Sequence, residues 1–152
     1  MRPGMTDQLS GIRRILDEII APELREGYPS QVLRGIVKNL AMLEGAWVHI
    51  LPFLEWDTTG TAALLEDAGP HVDDDLGQRI TDAVKQELPS SSLEDLERRN
   101  SELRGLLAEA IHQLAPQTDA AALQQRIKEH LVERTRRYPF RMAIAAPTSA
   151  KA

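Results

Sequence analysis

Twenty-two residues, Ser30 to Leu51, constrain this chain more than any other stretch. Placed at about 100° per residue, Leu33, Ile36, Val37, Leu40, Leu43, Trp47 and Leu51 fall on one broad face. Gln31, Gly35, Lys38, Gly45 and His49 fall on the other. An apolar arc near half the circumference is wider than a surface helix needs, which predicts a central, largely buried helix. Glu44 projects into the middle of that arc. A carboxylate in such a place must be paired, hydrogen-bonded or protonated, because an unpaired buried charge costs several kcal/mol. Two readings follow. Glu44 is either a packing residue satisfied by Asn39, Asn100 or an arginine of the first or last helix, or a polar group at the floor of a pocket.

The flanking sequence supplies further helices. Thr6 or Asp7 can cap the first, in which Leu9, Ile12, Leu16 and Ile19 recur at 3-4-3 spacing. Pro22 ends or kinks it, and Gly27-Tyr28-Pro29-Ser30 reads as the turn into the central helix, with Ser30 as its cap. Past Leu51, Pro52 and Thr58-Thr59-Gly60 predict breaks, leaving Thr61–Ala68 as a short helix. His71–Leu88, opened by Asp73-Asp74-Asp75, then reads as a peripheral helix. Pro89–Ser92 is the clearest linker, and Ser91 with Glu94 matches a capping box.

Leu93, Leu96, Asn100, Leu103, Leu107, Ala110 and Leu114 fit heptad a and d positions. Leu106 and Ile111 widen that seam from a zipper to a bundle face. Leu123, Ile127 and Leu131 mark a last helix, which Tyr138-Pro139-Phe140 leaves. No alternating strand pattern appears. The expectation is an all-α, antiparallel helical bundle of four long helices with a short helical excursion at about 55–90. It forms a single domain over 1–144, with a disordered tail at 145–152.

Composition narrows the function. The chain has no cysteine, hence no disulfide and no thiolate chemistry. No run approaches the roughly 18 apolar residues of a membrane span, and the first residues lack the apolar run of a signal peptide, so a cytoplasmic location off the membrane is expected. The net charge of −5 is uneven: residues 55–97 carry −10 and residues 123–152 carry +5. Such halves can pair within the fold or between copies. Nucleic acid is not an expected partner, since the pI is about 5.4 and the basic end offers only Tyr138 and Phe140 for stacking.

Motifs for chemistry are thin. Glu109-Ala-Ile-His112 has the Glu-x-x-His spacing of di-iron bundles, but it has no second copy and falls on the outer heptad face. Asp73-Asp74-Asp75 lacks the interleaved spacing of a calcium loop. His49 and His71 read as exposed, and His130 as a core-edge residue. No phosphate loop or nucleophile elbow is present. No metal and no cofactor are expected, no catalytic residue can be named, and Asn39, Glu44 and Asn100 stand as the ligand or polar-network candidates.

Val37-Lys-Asn-Leu-Ala-Met-Leu-Glu44, Leu96-Glu-Arg-Arg-Asn-Ser-Glu-Leu103 and the closing Arg137-Tyr-Pro139 resemble a poorly characterised bacterial family of small all-helical domains. Its members are encoded near aminoglycoside-phosphotransferase-like kinases and acyl-CoA dehydrogenases. The family's paired Asn and Glu on a central helix match Asn39 and Glu44, and its later Asn matches Asn100. The resemblance implies an accessory or partner-binding role. The leading expectation is therefore a noncatalytic interaction protein or accessory subunit, with a neighbouring enzyme as partner. A small-ligand or enzyme site at Glu44 and a self-associating helical module are the alternatives.

Overall fold

A computed structural model describes residues 4–87 and 92–141 of the chain. Among them there is no β-strand, and the chain is all-α. The α-helices are α1 (Met5–Ile15), α2 (Tyr28–Ala68), α3 (Asp74–Lys85), α4 (Leu93–Leu114) and α5 (Ala121–Arg137). They divide between two compact units. The first comprises residues 1–50 and 138–152, the second residues 51–137, and α2 contributes to both. The expected tail at 145–152, the linker's Pro89 to Ser91 and the boundary at 144 lie outside the described residues.

In the first unit, α1 unwinds at its end. A wide π-type turn spans Leu16–Ile20, and a 3-10 turn over Ala21–Glu23 follows, with Pro22 inside it. The missing N–H of proline removes the donor that would continue the α ladder, so the helix loosens and stops. Gly27, at φ +151°, then makes the reversal into α2, a conformation that side chains disfavour. This unit buries little: among its described aliphatic residues only Leu33 and Ala46 are buried, and α1 buries none. The expectation of a largely buried arc on Ser30–Leu51 is therefore corrected. Ile36, Leu43 and Trp47 of the first unit, and Leu51 where the second begins, are each about two-fifths exposed.

The second unit has a continuous core. Leu64, Leu65 and Ala68 of α2 pack with Leu76, Ile80 and Ala83 of α3, with Leu103, Leu106, Leu107, Ala110 and Leu114 of α4, and with Ala120, Leu123 and Ile127. Two sequence expectations fail here. Neither Pro52 nor Thr58-Thr59-Gly60 breaks α2, which runs unbroken to Ala68. Pro52 occupies an exposed position where a freed carbonyl can reach water, and the Thr58–Thr61 turn is held by tertiary hydrogen bonds described below.

Within the expected excursion at about 55–90, α3 contributes Leu76, Ile80 and Ala83 to the core. The apolar stripe of α3 is narrow, and Val72 and Val84 pack partly buried at its two ends. Asp73, first of the three aspartates, caps α3 by accepting from the Leu76 N–H at 2.8 Å. Gln113 of α4 clasps that cap from both sides, accepting from the Asp73 N–H and donating to Asp73 Oδ2. Arg99 donates to the Val84 carbonyl and ties down the other end of α3. The cap of α4 is Ser92, which accepts from the Asp95 N–H at 3.1 Å. Ser91, expected in that role, is not among the described residues.

Candidate functional site

The second unit contains a buried polar cluster that begins with one acid. Asp57 is wholly buried on the face of α2 that also carries Leu54, Thr61, Leu64 and Ala68. Its Oδ2 accepts from Asn100 Nδ2 and from Arg134 Nε, both at 2.9 Å. Its Oδ1 lies 3.0 Å from His130 Nε2. Asn100 also donates to Thr58 Oγ1 at 3.2 Å, and Thr61 Oγ1 sits 3.3 Å from His130 Nε2. Three helices, α2, α4 and α5, are thereby joined through one carboxylate.

Aromatic rings close the cluster. Trp56 stacks on the His130 ring with centroids 4.9 Å apart, Arg134 lies over Phe53, and Arg137 lies over Trp56 at 4.6 Å. Space is tight on the remaining side, since a Cβ added at Gly60 would stand 2.6 Å from His130 Cε1. Burial pushes the Asp57 carboxyl upward most strongly. The hydrogen bonds from His130, Asn100 and Arg134, with the Arg134 charge, together outweigh it and hold the pKa below 3.8. Asp57 is thus ionised, and His130 must carry its proton on Nε2 to donate to it.

This geometry differs from a nucleophile–histidine–acid triad. Such a triad needs the acid on one ring nitrogen and the hydroxyl on the other. Here Asp57 and Thr61 both meet Nε2. Among the described residues no group of three or more His, Cys, Asp or Glu side chains could hold a metal ion. Glu109 is engaged by Arg79 through two hydrogen bonds of 2.7 and 2.8 Å. An open groove of about 560 Å³ also runs between α4 and α5, lined mainly by Ile111, Leu114, Ile127, Leu131 and Val132.

The three sequence candidates part company. Asn100 belongs to the buried cluster. Glu44 accepts from Arg13 Nε at 3.0 Å, an arginine of the first helix, and keeps 23% of its side chain exposed. Asn39 is exposed on α2. Sequence reading missed Asp57, Thr61 and Arg134, although a signal existed. Leu54, Asp57, Thr61, Leu64 and Ala68 recur at 3-4-3-4 spacing, and Leu123, Ile127, His130 and Arg134 at 4-3-4. The supposed break at Thr58–Gly60 hid the first of these stripes.

The first unit presents a different kind of surface. Met5 and Ile12 of α1 and Ile19 of the π-type turn are exposed, Ile19 by 60%, and Val32, Ile36, Leu43 and Trp47 line an open stripe on α2. Among the described residues no helix is long and apolar enough to cross a membrane. No family model matches the chain, and no curated protein or solved structure matches it either.

Proposed function

We propose that this is a noncatalytic helical interaction protein acting in the cytoplasm, with its second unit as the structural body and its first as the docking surface. The observation that carries this reading is the apolar exposure of the hairpin made by α1 and the first half of α2. Amphipathic α1 has a well-formed apolar stripe and buries no residue. Contiguous apolar surface beyond a few hundred Å² marks a contact site. The cluster around Asp57 supports the same division of labour, because its polar groups satisfy one another inside the fold. The resemblance to helical domains encoded beside metabolic enzymes fits an accessory role.

The test compares the wild-type chain with Leu43→Glu, which places a charge on the open stripe without touching the second unit's core. Loss of every stoichiometric association, with unchanged circular dichroism and thermal unfolding of the second unit, is the expected result. Association that survives the substitution removes the hairpin as the docking surface.

A further inference from the structure

We infer that the groove between α4 and α5 binds a free, single-chain aliphatic carboxylate, with Lys128 holding the acid group. The groove lies wholly in the second unit, so the inference stands apart from the docking surface of the first.

The groove opens on the flank of the core. Buried Leu114 and Ile127 form its floor, and Ile111 packs partly buried beside them. Leu131 and Val132, 40% and 45% exposed, make its outer wall. The lining residues of α5 run from Gln124 to Thr135 at 3-1-3-1-3 spacing, which keeps them on one helix face over about 16 Å. A zigzag of C–C bonds of about 1.5 Å needs roughly a dozen carbons to span that length. The volume of about 560 Å³ is of the size that small ligands occupy. Among the described residues the lining holds no aromatic ring, so it offers a flexible alkyl chain continuous contact and a flat ring no stacking partner.

Charge sets the other end of the ligand. Lys128 is the only ionisable side chain in the described lining. The other four bases of α5 are engaged: Arg126 by Asp67, Arg134 by Asp57, and Arg136 and Arg137 by Glu133. Among the described residues Lys128 has no acid partner, and the adjacent Glu129 accepts from Gln125. The two other polar side chains of the lining have turned their donors inward. Gln124 donates to the Leu114 and Gln117 carbonyls, and Thr135 to the Leu131 carbonyl. The ammonium of Lys128 is therefore the side-chain donor left for a ligand. A lysine stem lies along an apolar wall while its head reaches a polar group, and a carboxylate meets that head with both charge and hydrogen bonds. One cation balances one negative charge, which favours a carboxylate over a doubly charged phosphate.

Titration calorimetry of the full chain with dodecanoate, kept below its micelle concentration, tests the inference. One equivalent should bind. Octanoate, four methylenes shorter, should bind at least about tenfold more weakly. Lys128→Gln should weaken dodecanoate binding about fivefold, the upper scale of an exposed charge pair, and Lys128→Arg should retain it. Lys128 is exposed, so circular dichroism of both variants should match the wild type. In amide NMR spectra the shifts caused by dodecanoate should centre on Ile111, Lys128 and Val132. The inference is overturned by absence of saturable binding up to about 1 mM, or by equal affinity of Lys128→Gln or of dodecyltrimethylammonium. Shifts centred on residues 32–47 would move the ligand to the open stripe of the first unit and overturn it equally. Cosedimentation with phosphatidylglycerol vesicles, without binding of free dodecanoate, would replace it with attachment to a lipid surface.

Discussion

Two acids on α2, thirteen residues apart, show how differently the two units are made. Glu44, in the first unit, pairs with Arg13 and stays partly in water. Asp57, in the second, is wholly buried and bound by Asn100, His130 and Arg134. The apolar neighbours follow the same rule: Leu64 and Leu65 lie inside a continuous core, whereas Ile36 and Leu43 stand open. One helix thus carries a finished half and an unfinished half. What distinguishes them is not residue type but whether other elements of the same unit cover the helix.

The sharpest way to break that comparison is Asp57→Ala. It removes the shared acceptor of Arg134, whose side chain is 20% exposed, and of Asn100 and His130, and urea unfolding should show a loss of about 3 kcal/mol. If the loss matches that of an ordinary surface change, the cluster is not what joins the helices. Next in size, Leu65→Ala should cost about 2–5 kcal/mol by leaving a cavity in the core. That loss should be the same at every protein concentration. Leu43→Glu should do the reverse, leaving the unfolding temperature of the chain nearly unchanged while weakening its association with a partner.

Gly60→Ala sits between these extremes. Alanine favours a helix by up to about 1 kcal/mol, yet its methyl would press on a histidine already held by Asp57 and Trp56. A net loss of about 1–2 kcal/mol is expected from overpacking. A gain in stability would show that His130 yields freely.

Acid should expose the buried carboxylate. The pKa of Asp57 lies below 3.8, so its ionisation stabilises the fold fully above pH 3.8, and that contribution fades as pH falls through the lower folded value. Urea curves for the wild type and Asp57→Asn, well separated at neutral pH, should converge below pH 3.8. Curves that stay parallel would mean Asp57 carries no charge in the fold. The smallest effect belongs to Glu44→Gln. A partly exposed pair with one arginine contributes below about 1 kcal/mol, and a larger loss would make the two acids alike.

Much of this was legible beforehand, and the failures share a cause. Helical periodicity gave the all-α class and the buried face of α4, including Asn100 as an interior polar residue. It also marked Ile36, Leu43 and Trp47 as one apolar face. Periodicity reports which face is apolar, however, and not whether the same chain supplies its cover. The breaks expected at Pro52 and Gly60 were local propensities that tertiary bonds override. Asp57 was lost among the acids of residues 55–97 because its partners lie 43 to 77 positions along the chain. Glu44 is the mirror case: conspicuous in sequence and ordinary in space.

The fit of His130 against Gly60 reaches beyond this molecule to the history of its sequence. Positions seventy residues apart cannot drift independently when one holds an imidazole where the other's side chain would stand. A lineage that enlarges residue 60 must shift or replace the side chain at 130, and the carboxylate at 57 is then at risk of losing a donor. Asp57, Gly60, Asn100 and His130 should accordingly be inherited together or abandoned together. In descendants too altered to be known by overall likeness, that quartet is the mark by which kinship would still show.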